Sequence, residues 1–231
     1  MSARERAERI VEKALSRGGT SLSEHESKEI LRAYAIPVTR EKEAHDEASL
    51  KAALTEIGFP VAVKACGPAL SHKTEQGLVR LDLTTEAEAL AAFTDIGKKV
   101  RGPGKTSVLV QEMVHGRREL MAGFTRDIQF GPCVMFGLGG VFAEVFNDVA
   151  FRLAPLEKED ALDMLEEIRA RGLLGPVRAM AAADKEHLAQ ILITLGRIGL
   201  ELPAIREIDV NPLILAGATA VAADALVVLS R

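Results

Sequence analysis

The stretch Glu207-Ile208-Asp209-Val210-Asn211-Pro212-Leu213 is the most informative part of this sequence, and Asp224 follows it. Apolar and polar residues alternate within it, so on a β-strand the side chains of Asp209 and Asn211 project from one face. Pro212 has no backbone N–H to give to a neighbouring strand, which predicts that the strand ends there at the rim of a sheet. The apolar and β-branched segment 219–229 predicts the next strand, and this strand carries Asp224.

Asp209, Asn211 and Asp224 have two readings. Two carboxylates and an amide oxygen on adjacent strands are hard oxygen ligands of the kind that Mg²⁺ takes, and Mg²⁺ is commonly shared with the phosphates of a substrate. Asp and Asn also cap turns by binding the nearby backbone. These three residues alone leave both readings open. A site for a metal-bound nucleotide needs further parts, and the rest of the sequence supplies them.

Composition and charge exclude several classes of protein. The 231 residues are 48% hydrophobic, which is enough for one large core or two small ones. A net charge of −4, with acidic and basic residues interspersed, argues against a nucleic-acid or membrane partner. No apolar run approaches the roughly 20 residues of a membrane helix. Two separated cysteines in apolar runs fit a reducing compartment, so we expect a cytoplasmic protein.

The pattern of predicted elements indicates an α+β fold. Strand-rich blocks are interrupted by pairs of helices, which is unlike the regular alternation of a doubly wound sheet. Helices are predicted at 3–17, 23–34, 48–57, 86–100, 158–171 and 185–200. Strands are predicted at 61–65, 78–83, 107–112, 119–125, 132–136 and 141–146, with a short strand after Thr39 and the C-terminal pair.

The glycine-rich segment Gly137-Leu138-Gly139-Gly140 resembles part of a dinucleotide-binding fingerprint. Phe142 stands where the last glycine of that fingerprint is required, and the following residues predict a strand instead of a helix. The segment therefore does not support a Rossmann fold. Its glycines still permit the backbone to approach a ligand closely.

Lys64 lies inside an otherwise apolar strand, Val61–Cys66. A buried ammonium group requires a partner, because burying an unpaired charge is very costly. The partner is either a phosphate oxygen of a ligand or a neighbouring carboxylate. We favour the phosphate, because a second strand ends in the polar residues Gln111 and Glu112, and such groups can bind an adenine amine or a ribose hydroxyl.

A set of motifs, in a fixed order along the chain, resembles a known family. These motifs are Val63-Lys64, Ser71-His72-Lys73, Val110-Gln111-Glu112-Met113, Arg126-Asp127, Phe130-Gly131-Pro132, Gly137-Leu138-Gly139-Gly140-Val141-Phe142 and Glu207-Ile208-Asp209-Val210-Asn211-Pro212-Leu213. Together they closely resemble the nucleotide-binding β subunit of ADP-forming acetyl-CoA synthetase, an ATP-grasp protein, from about Leu22 to Leu229. They are more distantly similar to the β subunit of succinyl-CoA synthetase.

The resemblance implies an α+β ATP-grasp fold with two α/β lobes and the nucleotide between them. We expect an N-terminal helix at 1–18, a first lobe at 19–110 and a second lobe at 111–231. The implied activity is that of an acid–thiol ligase, in which acyl-CoA, ADP and phosphate give the free acid, CoA and ATP. The implied partner is a CoA-binding α subunit in an α2β2 hetero-oligomer, and the implied cofactors are Mg²⁺ and ATP or ADP.

The resemblance also implies a role for each matching residue. His72 would be the catalytic phosphoryl acceptor, and Asp209, Asn211 and Asp224 would hold Mg²⁺. The remaining matching residues would bind the nucleotide or border its pocket: Lys64, Gln111, Glu112, Met113, Glu119 and Arg126. The sequence departs from the family at Ala35, where a Tyr-Gly-Ile-Pro motif reads Tyr-Ala-Ile-Pro, and at Leu78 and Ala179, each of which replaces a glycine.

His72 has an ordinary reading as well, since a single histidine in a polar loop is usually a solvated side chain. Two features favour the functional reading. Lys73 is adjacent and can neutralise a phosphoryl group, and a neutral imidazole nitrogen is a competent phosphoryl acceptor near pH 7.

Two other functions compete with the ligase. A non-catalytic ATP-grasp module for regulation or interaction would have no need of Lys64, His72 and the three predicted metal ligands together. An ATP-grasp ligase that phosphorylates a carboxylate directly for a different acceptor would have no need of His72.

Overall fold

A computed structural model describes residues 1–68, 70, 73–100, 107–140 and 148–230. The chain forms two compact units, which we call the large unit and the small unit. The large unit consists of Met1–Ser21, Ser27–Val38 and Val114–Arg231, and the small unit of Leu22–Glu26 and Thr39–Met113. The lobe boundaries expected from the resemblance, 1–18, 19–110 and 111–231, stay a prediction.

The elements are numbered here in chain order. The α-helices are α1 (Ala3–Ser16), α2 (Glu24–Ala33), α3 (Glu47–Ile57), α4 (Glu86–Lys99), α5 (Lys158–Glu167) and α6 (Lys185–Glu201). The strands are β1 (Glu41–Ala44), β2 (Val61–Cys66), β3 (Val79–Leu83), β4 (Ser107–Glu112), β5 (Glu119–Asp127), β6 (Gly131–Leu138), β7 (Val149–Leu153), β8 (Ile205–Ala216), β9 (Thr219–Ala222) and β10 (Leu226–Leu229). A 3-10 helix covers Arg169–Leu174.

The small unit is an antiparallel sheet in the order β1-β4-β2-β3 that packs against α3 and α4. Both helices begin at side chains that cap the free N–H groups of the first turn, Asp46 for α3 and Thr85 for α4. Their apolar faces meet the sheet, where Leu50 and Ile96 are fully buried. All six residues of β2 are buried, which explains its continuous apolar pattern and makes Lys64 the exception in it.

The large unit is an antiparallel sheet in the order β10-β8-β5-β6-β7, with β9 paired to β8. Helix α6 packs on one face of this sheet, where its Gly196 and Gly199 lie against Val134 and Phe124. Side chains alternate between the two faces of a strand. Asp209 pairs with Gly123, the neighbour of Phe124, and therefore projects from the face opposite to α6.

The predicted helices and most predicted strands are confirmed, and the differences lie in where some elements end and in one strand that was not predicted. The helix expected at 158–171 ends at Glu167 and continues as the 3-10 helix. The segment 219–229 forms two strands, β9 and β10, with Asp224 in the link between them. Strand β7 was not predicted, because it is a short edge strand whose apolar side chains, Phe151 and Leu153, are exposed. The strand expected at 141–146 lies outside the described residues.

Strand β8 also does not end at Pro212. It continues to Ala216, and the register with β5 shifts between Leu120 and Ala122, opposite Asn211 and Pro212. A local irregularity of this kind accommodates a residue that has no N–H. Before Pro212 the outer partner of β8 is β10, and after it the partner is β9.

Among the residues that the structure describes, no helix has the length and apolar character needed to cross a membrane.

Candidate functional site

Asp209 lies in the middle of β8, between Gly123 of β5 and Leu226 of β10. Burial, and after it the nearby carboxylates of Glu207 and Asp224, raise the pKa of the Asp209 carboxyl to about 6. Both causes disfavour the ionised form, since burial removes water from the charge and like charges repel. Asp224 precedes Leu226, the strand partner of Asp209, by two residues, so the fold brings the two residues into one region.

Asp224 is brought to Asp209 by the break between β9 and β10. Ala223 N–H donates to the carbonyl oxygen of Pro212 at 3.0 Å, which fixes the link beside the irregular part of β8. The Asp224 carboxylate accepts from Ala225 N–H at 2.9 Å. The split of the C-terminal segment is thus what places the second carboxylate.

Glu119 and Asn211 meet through the glycines that follow β6. Gly139 N–H donates to the Glu119 carbonyl oxygen at 2.9 Å, and Gly140 N–H donates to Asn211 Oδ1 at 3.3 Å. Gly140 has φ +68°, and a Cβ atom there would strike the Glu119 carboxylate. The close approach expected of these glycines is therefore made to a carboxylate of the protein itself.

We call Glu119, Asp209, Asn211 and Asp224, which all belong to the large unit, the acidic group. Asp224 acts electrostatically on Asp209, and Glu119 and Asn211 both contact Gly140. In the part of the chain that the structure describes, no three His, Cys, Asp or Glu side chains form a metal cluster. Two close carboxylates and an amide oxygen nevertheless fit Mg²⁺, which keeps several waters and takes only one or two protein carboxylates. A cation would also relieve the repulsion that raises the Asp209 pKa.

Lys64 in the small unit has a carboxylate partner. Its Nζ donates to Glu24 Oε1 at 3.0 Å, and Lys73 Nζ donates to Glu24 Oε2. We call Glu24, Lys64 and Lys73 the lysine cluster. Its members are well buried, with side-chain exposures of 2% for Glu24, 7% for Lys64 and 11% for Lys73. The salt-bridge reading of Lys64 is thus observed, and its predicted role in phosphate binding stays a prediction.

Glu24 is the residue that sequence reasoning missed. It lies in the first turn of α2, beside the capping pair Ser23 and Glu26, whose side chains and N–H groups bond reciprocally. An acidic residue is common in the first turn of any helix, so nothing local distinguishes Glu24. The sequence indicated only that Lys64 requires a partner. It did not identify which carboxylate forms the ion pair.

Gln111 and Glu112 end β4 and Met113 follows the strand, and the contacts of the three residues differ. Gln111 is buried. The Glu112 carboxylate accepts from Arg40 N–H at 2.8 Å and from Arg40 Nε at 2.6 Å. Met113 N–H donates to the Pro60 carbonyl oxygen at 3.2 Å. These bonds fix the backbone at the end of the strand.

Arg126 is not brought together with the acidic group. It is seven residues from Glu119 on β5, a separation of about 23 Å at the usual rise of a strand. Its guanidinium donates to the carbonyl oxygens of Ile205, at 2.9 Å, and Gly199, and its Cζ lies 5.5 Å from the centre of the Phe124 ring. These contacts tie the end of α6 to the sheet.

His72 lies outside the described residues. The chain directly after it forms a closed turn, in which Leu78 N–H donates to the Lys73 carbonyl oxygen at 2.8 Å and Gly77 N–H to that of Thr74 at 3.0 Å. This turn leads into β3.

The chain matches the model of the ATP-grasp domain over residues 13–229. It is 41% identical over 228 residues to the β subunit of the ADP-forming acetate–CoA ligase I of Pyrococcus furiosus, a match that covers 97% of this chain and 98% of the relative.

Two structures of the dinucleotide-forming acetyl-coenzyme A synthetase 1 of Ca. Korarchaeum cryptofilum are also similar. One holds coenzyme A and Mg-AMPPCP, with a phosphohistidine segment pointing towards the nucleotide-binding site, and matches with a TM-score of 0.85 at 41% identity. The other holds coenzyme A, acetyl-coenzyme A and a phosphorylated phosphohistidine segment in a different orientation, and matches with a TM-score of 0.87 at 39% identity. Each covers 97% of this chain and the whole of the matched chain. The predicted fold class is confirmed.

Proposed function

We propose a function from the premise that this chain belongs to the ATP-grasp domain family, whose model it matches over residues 13–229. The chain is the nucleotide-binding β subunit of an ADP-forming acyl-CoA synthetase, in which acyl-CoA, ADP and phosphate give acid, CoA and ATP. The observation that carries the proposal is the 41% identity to the β subunit of an ADP-forming acetate–CoA ligase along nearly the full length of both chains.

The acidic group is the proposed metal site, with Asp209, Asn211 and Asp224 as the ligands of Mg²⁺. The support is the position of Asp209 on the face of the sheet opposite to α6 and its raised pKa, which is caused by burial and by the nearby carboxylates of Glu207 and Asp224. Bound Mg²⁺ neutralises charge on nucleotide phosphates and orients them. The protein's contribution is to hold three oxygen donors on a strand and a link that are fixed to each other.

Lys64, Gln111, Glu112 and Met113 are the proposed nucleotide-binding residues of the small unit. The phosphate role of Lys64 rests on the family resemblance, since its ammonium group is paired with Glu24 in the structure. Glu119 and Arg126 are proposed to border the nucleotide site. For Glu119 the contact with the glycines beside Asn211 is the support, whereas the role of Arg126 rests on the family resemblance.

The partner is proposed to be a CoA-binding α subunit in an α2β2 complex. The relative from Pyrococcus furiosus is named as a β subunit, which implies a second subunit there. Acyl-phosphate chemistry takes place on that partner, and His72 carries the phosphoryl group to ADP. In the last step the phosphorus–nitrogen bond to the imidazole breaks, and a bond to the terminal ADP oxygen forms.

A His72→Ala variant tests the proposal. In the complex with the partner subunit it should form no ATP, while its Mg-ADP affinity stays near that of the wild type, because the histidine transfers phosphate and does not anchor the nucleotide. Wild-type chain incubated with γ-labelled ATP and Mg²⁺ should carry acid-labile, base-stable label on the peptide that contains His72.

The matched control is His45→Ala, since His45 is an exposed histidine of the same unit. This variant should keep the wild-type rate of ATP formation and the label. A His72→Ala complex that turns over at the wild-type rate would rule out the relay.

A further inference from the structure

One carboxylate, that of Glu24, binds two lysines through separate oxygens. Lys64 belongs to the buried strand β2, and Lys73 belongs to the turn that leads into β3. Charge-assisted bonds of this kind are roughly twice as strong as neutral ones, and the low exposure of all three side chains limits screening by salt. Glu24 therefore links a rigid strand to a turn of the same unit.

The turn is attached to β2 at a second point. Ala65 N–H donates to the Leu78 carbonyl oxygen at 2.9 Å, and Lys64 pairs with Val79 in the sheet. The end of the turn near β3 is thus fixed by the backbone ladder. Its beginning, at Lys73, is held by the side-chain bond to Glu24.

Lys73 directly follows His72, and adjacent Cα atoms are separated by about 3.8 Å. The bond from Glu24 to Lys73 therefore acts on the residue that directly follows the proposed relay histidine in the sequence. We propose that Glu24 is a positioning residue for phosphoryl transfer between His72 and the nucleotide. Its carboxylate holds Lys73 together with Lys64, the lysine proposed to bind phosphate. The inference rests on the proposed function of His72.

Glu24→Gln is the direct test, made in the complete complex with the partner subunit. The amide keeps the shape of the side chain but replaces one acceptor oxygen with an NH₂ group, which cannot accept from an ammonium. Loss of one such charged bond should slow single-turnover transfer from phosphorylated His72 to ADP by about ten- to a hundredfold. The Kd of Mg-ADP should not rise, because Glu24 competes with phosphate for Lys64. A purely structural defect would slow the transfer and would also weaken the binding of Mg-ADP.

Glu29→Gln is the matched control. Glu29 also lies on α2 and is ion-paired, to Arg32, but its side chain is 42% exposed. This variant should transfer phosphate at the wild-type rate.

Lys73→Met is a second, independent test, which does not depend on the folding of the Glu24 variant. It should slow the same transfer step to a similar extent, and Glu24→Gln combined with Lys73→Met should be no slower than Lys73→Met alone. Either single variant transferring at the wild-type rate, with label still formed on His72, would overturn the role of Glu24 and leave the proposed function intact. Absence of label from His72 in the wild-type complex would instead overturn the relay itself.

Discussion

In the large unit, Asp209 is partly buried near the carboxylates of Glu207 and Asp224, and its pKa is raised to about 6. In the small unit, Glu24 is buried between two ammonium groups, those of Lys64 and Lys73. The first arrangement gathers like charges, and the second places opposite charges in contact. Both regions withdraw charged groups from water, yet their electrostatic states differ.

The difference indicates what each region requires from a ligand. Like charges in the acidic group destabilise one another, so a divalent cation bound there would gain favourable electrostatic energy. The lysine cluster already contains its counter-charge. A phosphate that binds Lys64 must compete with Glu24 or share the ammonium with it, and the gain in affinity is correspondingly smaller. The contribution of the acidic group to nucleotide binding should therefore depend on Mg²⁺, and the contribution of the lysine cluster should not.

Arg118 gives the largest expected effect, and it acts on stability. Although it is adjacent to Glu119 in sequence, its buried guanidinium donates to four backbone carbonyl oxygens, those of Leu173, Gly175, Ala181 and Gly217. It therefore serves to hold the segment around the 3-10 helix and the β8–β9 turn. Because buried acceptors would lose their donor, Arg118→Ala should lower the free energy of unfolding by about 3 kcal/mol or more, measured by urea denaturation.

Arg117→Ala is the control for this prediction, since Arg117 is exposed and carries the same charge. It should change the free energy of unfolding by less than about 0.5 kcal/mol. If the two variants lost equal free energy of unfolding, the stabilising factor would be the positive charge near the acidic group. The hydrogen bonds of Arg118 to the carbonyl oxygens would then not be its source.

The comparison of the two regions is tested most directly by metal dependence. Asp209→Ala should weaken the binding of Mg-ADP by about ten- to a hundredfold and leave metal-free ADP unaffected, because the carboxylate acts through the ion. Lys64→Met should weaken the binding of Mg-ADP and of metal-free ADP by about tenfold each, since an ammonium would contact the phosphate directly. Isothermal titration calorimetry with and without Mg²⁺ distinguishes the two patterns.

Glu207→Gln serves as the control on the same strand, because Glu207 projects from the same face as Asp209 but is not a proposed ligand. We expect a change of less than about threefold in Mg-ADP affinity, typical of a more exposed charge. If Asp209→Ala affected metal-free and metal-bound ADP equally, the acidic group would not be the metal site.

The smallest expected effect concerns the ends of two helices. Ala35 follows α2 with φ 63°, a left-handed conformation that favours glycine. Ala35→Gly should raise the free energy of unfolding by about 0.5–1 kcal/mol, since relief of strain exceeds the added flexibility of the unfolded chain. Mg-ADP affinity should not change.

The opposite substitution at Gly58, beyond α3, is the matched control. Gly58 has φ 80° with open space around it, so an added Cβ meets no neighbour and only the backbone conformation is disfavoured. Gly58→Ala should destabilise the protein by about 1–3 kcal/mol. Thermal unfolding that moved in the same direction for both variants would contradict the conformational explanation.

Much of the local structure followed from the sequence. The helices were predicted from apolar periodicity and caps, and Asp209 and Asn211 were placed on one face of a strand by alternation alone. Both signals are local, because they depend on residues one to four positions apart. The order of motifs was sufficient to identify the family. Asp224 was expected on a strand and lies in the link between β9 and β10, because the C-terminal segment pairs with β8 in two separate pieces.

The partners of the charged residues were decided by the tertiary structure. Glu24 and Lys64 are 40 positions apart, and Arg126 reaches a carbonyl 79 positions away. The sequence determined that Lys64, a charged residue inside an apolar strand, needed partners, because burial of a charge requires them. Which groups supply them depends on how the helices and sheets pack. A hydrogen bond needs atoms within about 3 Å, and no local pattern in the chain specifies a distance across the fold.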